Sequence, residues 1–357
     1  MSRARLPLLR TREPLRVGFL PVTDCAPLVY ASEATLFEKY DLEVELQRET
    51  SWATLRDKVI YGQLDAAHAP ATLPFLANLG LESDPCACVS GLVLSLQGNA
   101  IAVSRQLWDR GVRDAASLRH QIYRTWGKRT YTFGVAFTFS TQDLLLRRWF
   151  KSAGIAPDAE IRIVAIPPEQ MFPTLKLGYI DGYCVGEPWT TVAVQAGVAC
   201  RVATSEELAP LHPEKVLMVR QSFATGRADE HERLLAALVE ACIICQQPEN
   251  RALLSELLCQ PHYVNAPVEC LKSGLAEGMT IFYADNANDP GNDKARWLMD
   301  ELYELLKETV FKYQKQERTP VLKNIFRRDI FTRAQALLEQ GKEPEQESFA
   351  VLAAAGA

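Results

Sequence analysis

Two α/β lobes of similar design are what this 357-residue chain predicts, and three observations predict them. Short strand-like apolar runs alternate with helix-like runs, the alternation pauses once and resumes, and one local pattern occurs twice. Before the pause the expected elements are strand 15–20 with helix 27–37, strand 42–46 with helix 52–61, and strand 64–68 with helix 72–79. After it come strand 100–103, strand 131–135, helix 140–152, strand 161–166, helix 171–177 and strand 180–185. Strand–helix–strand at this spacing implies parallel sheets with right-handed crossovers. Beyond strand 215–219 the chain turns mainly helical, at 230–245, 251–258, 294–306 and 333–340, and these helices are expected to pack back on the first lobe. The expected division is 14–99 and 216–340 for the first lobe and 100–215 for the second, with 341–357 a loose polar tail.

The repeated pattern joins the lobes. Thr54-Leu55 leading to Gly62-Gln63-Leu64-Asp65 is echoed by Thr174-Leu175 leading to Gly178-Tyr179-Ile180-Asp181. Each is a helix end, a glycine placed to stop it, and an aspartate opening a strand that runs into Ala69-Pro70 or Glu187-Pro188. Ligands of open α/β sheets sit beyond the carboxyl ends of strands, so the two proline-containing turns should face a shared cleft.

Composition narrows the function. A formal charge of −5, with 39 Lys and Arg against 44 Asp and Glu, argues against direct grip on nucleic acid. No apolar run approaches the roughly 18 residues of a membrane span. Residues 1–20 show no apolar core of about 7 to 15 residues for export, so a cytoplasmic protein is expected. The nine cysteines show no framework spacing, and Cys242 and Cys245 lie in an apolar helix, as buried thiols of a reducing compartment do. Cys86-Ala87-Cys88 and the Cys242–Cys245 pair lack a complementary Cys or His pair, so neither a metal nor a cofactor is expected.

Four segments in order, Ser51-Trp52-Ala53-Thr54-Leu55-Arg56-Asp57, Leu96-Gln97-Gly98-Asn99-Ala100-Ile101, Cys184-Val185-Gly186-Glu187-Pro188-Trp189 and His212-Pro213-Glu214-Lys215, resemble the nitrate- and bicarbonate-binding proteins of cyanobacterial ABC transporters. The resemblance covers about residues 14–310. It implies a type II periplasmic-binding-protein fold, two α/β lobes with the ion between them, and the missing export signal points to its cytoplasmic branch, the NasS-type nitrate and nitrite sensors. The ligand contacts it implies are Trp52, Gln97, Gln142, Pro168, the turn Val185, Gly186 and Glu187, and Lys215. Bicarbonate-binding relatives resemble this chain but carry a carboxylate at the lysine position and recruit a cation, so Lys215 favours nitrate or nitrite. Nitrate-binding relatives carry histidine where Gln142 stands, and a neutral donor there removes one source of pH sensitivity. The partner implied is an RNA-binding antiterminator with an ANTAR domain.

The residues themselves suit a small planar monoanion, which wants a positive charge, in-plane donors and a flat surface: Lys215, the Gln97 and Gln142 amides, and the Trp52 indole. Ordinary roles stay open beside these. Trp52 could be core, Gln97 and Gln142 surface amides, and Lys215 a solvated lysine. Glu187 repels an anion, so it either orients Lys215 or caps the helix after Pro188. A transport component of a nitrate or bicarbonate ABC system is the alternative function. An enzyme is the weakest reading, because no nucleophile stands beside a base among only five histidines.

Overall fold

The computed structural model describes residues 13–309 and 324–340, so the expected tail at 341–357 lies outside the described residues. Two sheets organise the chain. The first contains β1 (Leu15–Phe19), β2 (Val44–Arg48), β3 (Ala66–Pro70), β4 (Cys88–Gln97), β10 (Pro213–Arg220) and β11 (Thr280–Ile281), in the order β11-β4-β10-β3-β1-β2. The second contains β5 (Asn99–Ser104), β6 (Tyr131–Val135), β7 (Ile161–Ala165), β8 (Gly182–Gly186) and β9 (Ala199–Thr204), in the order β7-β6-β8-β5-β9.

The sheets are mixed rather than wholly parallel, which corrects the sequence expectation. β1 pairs in parallel with β2 and β3, and β6 with β7 and β8, as strand–helix–strand units require. The strands that carry the chain between lobes run the other way: β10 is antiparallel to β3 and β4, and β5 to β8 and β9. The outward crossing is at Gly98, between β4 and β5. There Gln97 and Gly98 have φ of 60° and 91°, and a Cβ on Gly98 would stand 2.5 Å from Thr280 Oγ1, so only glycine fits. The return falls between β9 and Pro213, which places Lys215 on a first-lobe strand.

Local chemistry explains the elements near the crevice. Ser51 caps the helix Trp52–Ile60 by accepting from Thr54 N at 3.1 Å, and Ser140 caps Thr141–Ser152 by accepting from Asp143 N at 3.3 Å. The long helix Ala228–Gln246 lies on the first sheet, where Gly91 lets Leu235 approach; a Cβ on Gly91 would meet Leu235 Cδ2 at 2.7 Å. The second lobe has its own core, in which Phe133 meets Phe150 edge-on at 5.1 Å.

The repeated sequence pattern has one structural meaning. Asp65 Oδ2 accepts from Arg16 N at 2.9 Å, and Asp181 Oδ2 accepts from Thr132 N at 2.9 Å, each carboxylate pinning the start of its strand to the neighbouring parallel strand. Arginines flank both, Arg16 and Arg227 at Asp65 and Arg129 at Asp181. Asp65→Ala and Asp181→Ala are each expected to lower stability by about 1.5–3 kcal/mol, the worth of a hydrogen bond to a charged group, in urea unfolding; a loss below about 0.5 kcal/mol contradicts this role.

Candidate functional site

The crevice is built from strand ends of both lobes. On the first-lobe side stand the turn Val22-Thr23-Asp24 after β1, Trp52 opening the helix after β2, His68 on β3, and Glu214-Lys215 opening β10. The second lobe contributes Asn99 at the start of β5, Thr141-Gln142 opening the helix after β6, and Gly186-Glu187 at the end of β8.

Lys215 is fully buried in this crevice, which excludes the solvated role. Its Nζ lies 2.8 Å from Asp24 Oδ2 and 2.6 Å from Glu214 Oε1, and 5.4 Å from the centre of the Trp52 ring. A histidine backs each carboxylate. His212 Nε2 is 3.2 Å from Glu214 Oε2, and His68 Nε2 is 3.0 Å from Asp24 Oδ1, within pairing distance but off the line of a hydrogen bond. Burial disfavours charge on Asp24, Glu214 and Lys215, yet their mutual attraction wins. Lys215 and His68 pull the Asp24 carboxyl down to about 2, Lys215 and His212 hold Glu214 below the usual range, and the two carboxylates raise Lys215. Burial lowers His68, with Asp24 offsetting part of that.

This changes the electrostatics expected from sequence. Lys215 is matched by two carboxylates, so the Asp24–Lys215–Glu214 cluster carries one net negative charge while the histidines are neutral. The donors left for an anion are neutral groups. Among the described residues, Trp52 Nε1 and Asn99 Nδ2 are buried without a hydrogen-bond partner, as are the hydroxyls of Thr23, Thr141 and Thr190. Gln142 Nε2 donates to Asn99 Oδ1 at 3.0 Å, which orients the Asn99 amide, and a Cβ on Gly186 would lie within 3.8 Å of Asn99, Gln142 and Val22 together. Thr23 N donates to Glu187 O at 2.6 Å, so one turn touches the Lys215 cluster and the second lobe at once.

The remaining sequence-derived positions take different places. Gln97 is buried at the crossing, its N donating to His212 O at 3.1 Å. Val185 is buried in β8, and Pro168 opens a short turn after β7 whose Glu169 reaches Arg48 at 2.6 Å across the cleft rim. Glu187 caps the helix Trp189–Gln195, its Oε2 accepting from Thr191 N at 3.1 Å, whereas the groups that orient Lys215 are Asp24 and Glu214. Burial pushes the Glu187 carboxyl up to about 7. Asp24 and His68 escaped sequence reasoning, and Asn99 stood in a quoted segment from which Gln97 alone was chosen. Glu214 and His212 stood in a quoted motif from which Lys215 alone was chosen, although a lysine beside a glutamate in an apolar strand is itself a signal of a buried pair.

The lobes are closed on each other. Trp189 Nε1 donates to Pro21 O at 2.8 Å, Gln195 to Ser273 at 2.8 Å, and Arg201 pairs with Glu277 at 2.5 Å.

Two sheets joined by two chain crossings around such a crevice define the two-lobed periplasmic-binding-protein fold. The crystal structure of the periplasmic nitrate-binding protein NrtA from Synechocystis PCC 6803 matches it with a TM-score of 0.85 and 25% identity, over 91% of this chain and 89% of that one. The pattern of the NMT1-like family matches residues 10–259, and the chain belongs to that family. It is 30% identical over 309 residues to the nitrate/nitrite binding protein NrtA of Synechococcus elongatus, covering 80% of this chain and 70% of the relative. It is 36% identical over 302 residues to the bicarbonate transport ATP-binding protein CmpC of Synechocystis, covering 81% of this chain but 45% of the relative, so the chain spans less than half the length of that protein.

Removing the lysine leaves two buried carboxylates facing each other. Lys215→Met is expected to cost about 3–5 kcal/mol in urea unfolding, and adding Asp24→Asn with Glu214→Gln to recover most of it; a Lys215→Met protein of unchanged stability contradicts the pairing. Glu187 sets a second test. Its folded pKa of about 7 stands above the 4.5 of an ordinary glutamate, so its share of stability is whole below 4.5 and lost as pH rises through 7. Glu187→Gln is expected to flatten stability over that window and to raise it at pH 8; an unchanged pH profile counts against the buried neutral carboxyl.

Proposed function

We propose that the crevice binds nitrate or nitrite and that the chain is a cytoplasmic sensor of the NasS type, which holds an ANTAR-domain RNA-binding antiterminator until the anion binds. The observation that carries the anion reading is the set of buried donors without partners, Trp52 Nε1, Asn99 Nδ2 and the threonine hydroxyls, gathered where the lobes meet. A small oxyanion supplies the acceptors they lack. Trp52, Gln142 and the Gly186 turn form its surroundings, with Lys215 behind them, and the likeness to the NrtA proteins supports the same ligand class. Nine free cysteines, several of them buried, suit a reducing compartment. Four ligand atoms at a ceiling of about 1.5 kcal/mol each give about 6 kcal/mol, or tens of micromolar, which suits a metabolite sensor. Binding favours the closed arrangement and shifts the population of lobe orientations that the partner reads. A substrate-binding part of a nitrate or bicarbonate ABC system is the second reading, favoured by the transport names of the CmpC relatives.

The experiment is direct. Adding nitrate or nitrite to the purified pair of sensor and antiterminator should dissolve the complex, and a complex that persists at millimolar anion contradicts the sensor. Calorimetry on the chain alone separates the ligand from the partner. Gln142→Leu is expected to weaken nitrate about tenfold by releasing the Asn99 amide. An anion added to a cluster of net negative charge should also raise the lowered His68 pKa and draw in a proton. Nitrate affinity therefore rises as pH falls below about 6.5, the ordinary histidine value from which His68 is lowered, and an affinity independent of pH there contradicts the charge balance.

A further inference from the structure

The chain's charge of −5 is unevenly spread. Residues 105–130, on the second lobe, hold seven Lys and Arg against two Asp and Glu, and residues 119–130 hold four against none. The helix Ala115–Arg124 shows how they are displayed. It buries Ala115, Leu118, Gln121 and Ile122, so Arg119, His120, Tyr123 and Arg124 form the outer face of its last two turns. Arg129 pairs with Asp181, whereas Arg119, Arg124 and Lys128 meet no carboxylate among the described residues.

Aromatic rings stand among these charges. Tyr123 is 51% and Trp126 58% exposed, their rings stacked with centroids 6.1 Å apart and planes inclined by 30°, and the Arg119 guanidinium lies 5.3 Å from the Tyr123 ring centre. Guanidinium, phenol and indole thus form one solvent-facing row. Tyr179, 73% exposed, stands at the same end of the sheet, because Asp181 two residues on accepts from Thr132 N at the start of β6 and pairs with Arg129. The crevice lies beyond the other end of β6, where the helix opened by Thr141-Gln142 begins, so the two surfaces are separate. Single exposed rings are ordinary, but three at one pole among unpaired cations mark a binding surface.

The chemistry of this pole selects its partner. A protein hot spot seats its Trp and Tyr in a desolvated pocket, and an anionic lipid surface is entered by a helix with a broad apolar face. Here the rings stand in the open and the rest of the helix's outer face is polar. A single-stranded nucleic acid asks for that combination, π-faces for its bases and dispersed cations for its phosphates. A duplex, whose bases are already stacked on each other, cannot use the rings.

We propose that this pole of the second lobe binds single-stranded nucleic acid, its bases stacking on Trp126 and Tyr123 and its phosphates meeting Arg119, Arg124 and Lys128. The surface stands whatever the crevice holds. Fluorescence anisotropy of the full chain at about 50 mM salt tests it, with labelled oligouridylate and oligodeoxythymidylate of about twelve units, a DNA duplex of the same length, and polyglutamate. At least one single strand should bind in the micromolar range, the duplex and polyglutamate about tenfold more weakly or less. Trp126→Ala and Tyr123→Ala should each weaken the single strand about tenfold, and Trp126→Phe, which keeps a ring, should retain most of the affinity. Arg124→Gln with Lys128→Gln should reduce the slope of log K against log salt by about 1.4, the share of two phosphate contacts on a single strand. All four side chains are exposed, and an unchanged urea midpoint shows that the variants fold. Absence of binding by both single strands up to about 0.1 mM, the weak end of non-specific affinity, overturns the proposal. So does equal binding of polyglutamate or of phosphatidylserine vesicles, or an affinity indifferent to loss of either ring.

Discussion

The ion triplet of Asp24, Lys215 and Glu214 is the constraint on which the rest of the crevice depends. A fully buried ammonium persists only with compensating charge, and here two carboxylates from different segments supply it at 2.8 Å and 2.6 Å. Asp24 lies on the turn after the first strand and Lys215 on the strand that returns from the second lobe, so the pairing fixes how β10 seats beside β3. His68 and His212 then stand behind the carboxylates, and the cluster's charge varies with the protonation of His68. The triplet thereby sets both the geometry of the first-lobe wall and the charge that an anion meets.

The second lobe meets that wall through neutral groups. Thr23, next to Asp24, donates its backbone N–H to Glu187 O, and Asn99 and Gln142 pair beside Val22. The anion proposed for this site would be held by dipoles, with a compensated charge behind them, and its binding would be tied to lobe closure because its contacts would come from both sides. This arrangement differs from a bare lysine drawing an anion into the cleft. It trades long-range attraction for selectivity by shape and by donor placement.

The α/β class, the two lobes and most elements were legible in the sequence because they rest on local periodicity. Strand Tyr131–Val135 and helix Arg251–Leu258 fall where the pattern puts them. β4 went unmarked because all ten of its residues are buried and its sequence lacks the period-two alternation of a half-exposed strand. The antiparallel crossing strands were hidden for another reason: direction within a sheet depends on where the chain travels, which no local window contains. The twin aspartates at 65 and 181 were visible as a repeat, though their partners, the N–H groups of Arg16 and Thr132, were not. In the site, the family resemblance named Trp52, Gln142, Gly186 and Lys215, while Asp24 and His68 could be found only by knowing which distant turn and strand the lysine reaches.

A crystal structure of the chain grown with nitrate bears most directly on the central claim, that the crevice holds a small oxyanion on neutral donors beside an already paired lysine. The account predicts the anion within about 3 Å of Trp52 Nε1 and of the Asn99 or Gln142 amide, with Lys215 still joined to Asp24 and Glu214. An anion seated elsewhere on the molecule, or a Lys215 that has left both carboxylates to bind it alone, would contradict the account.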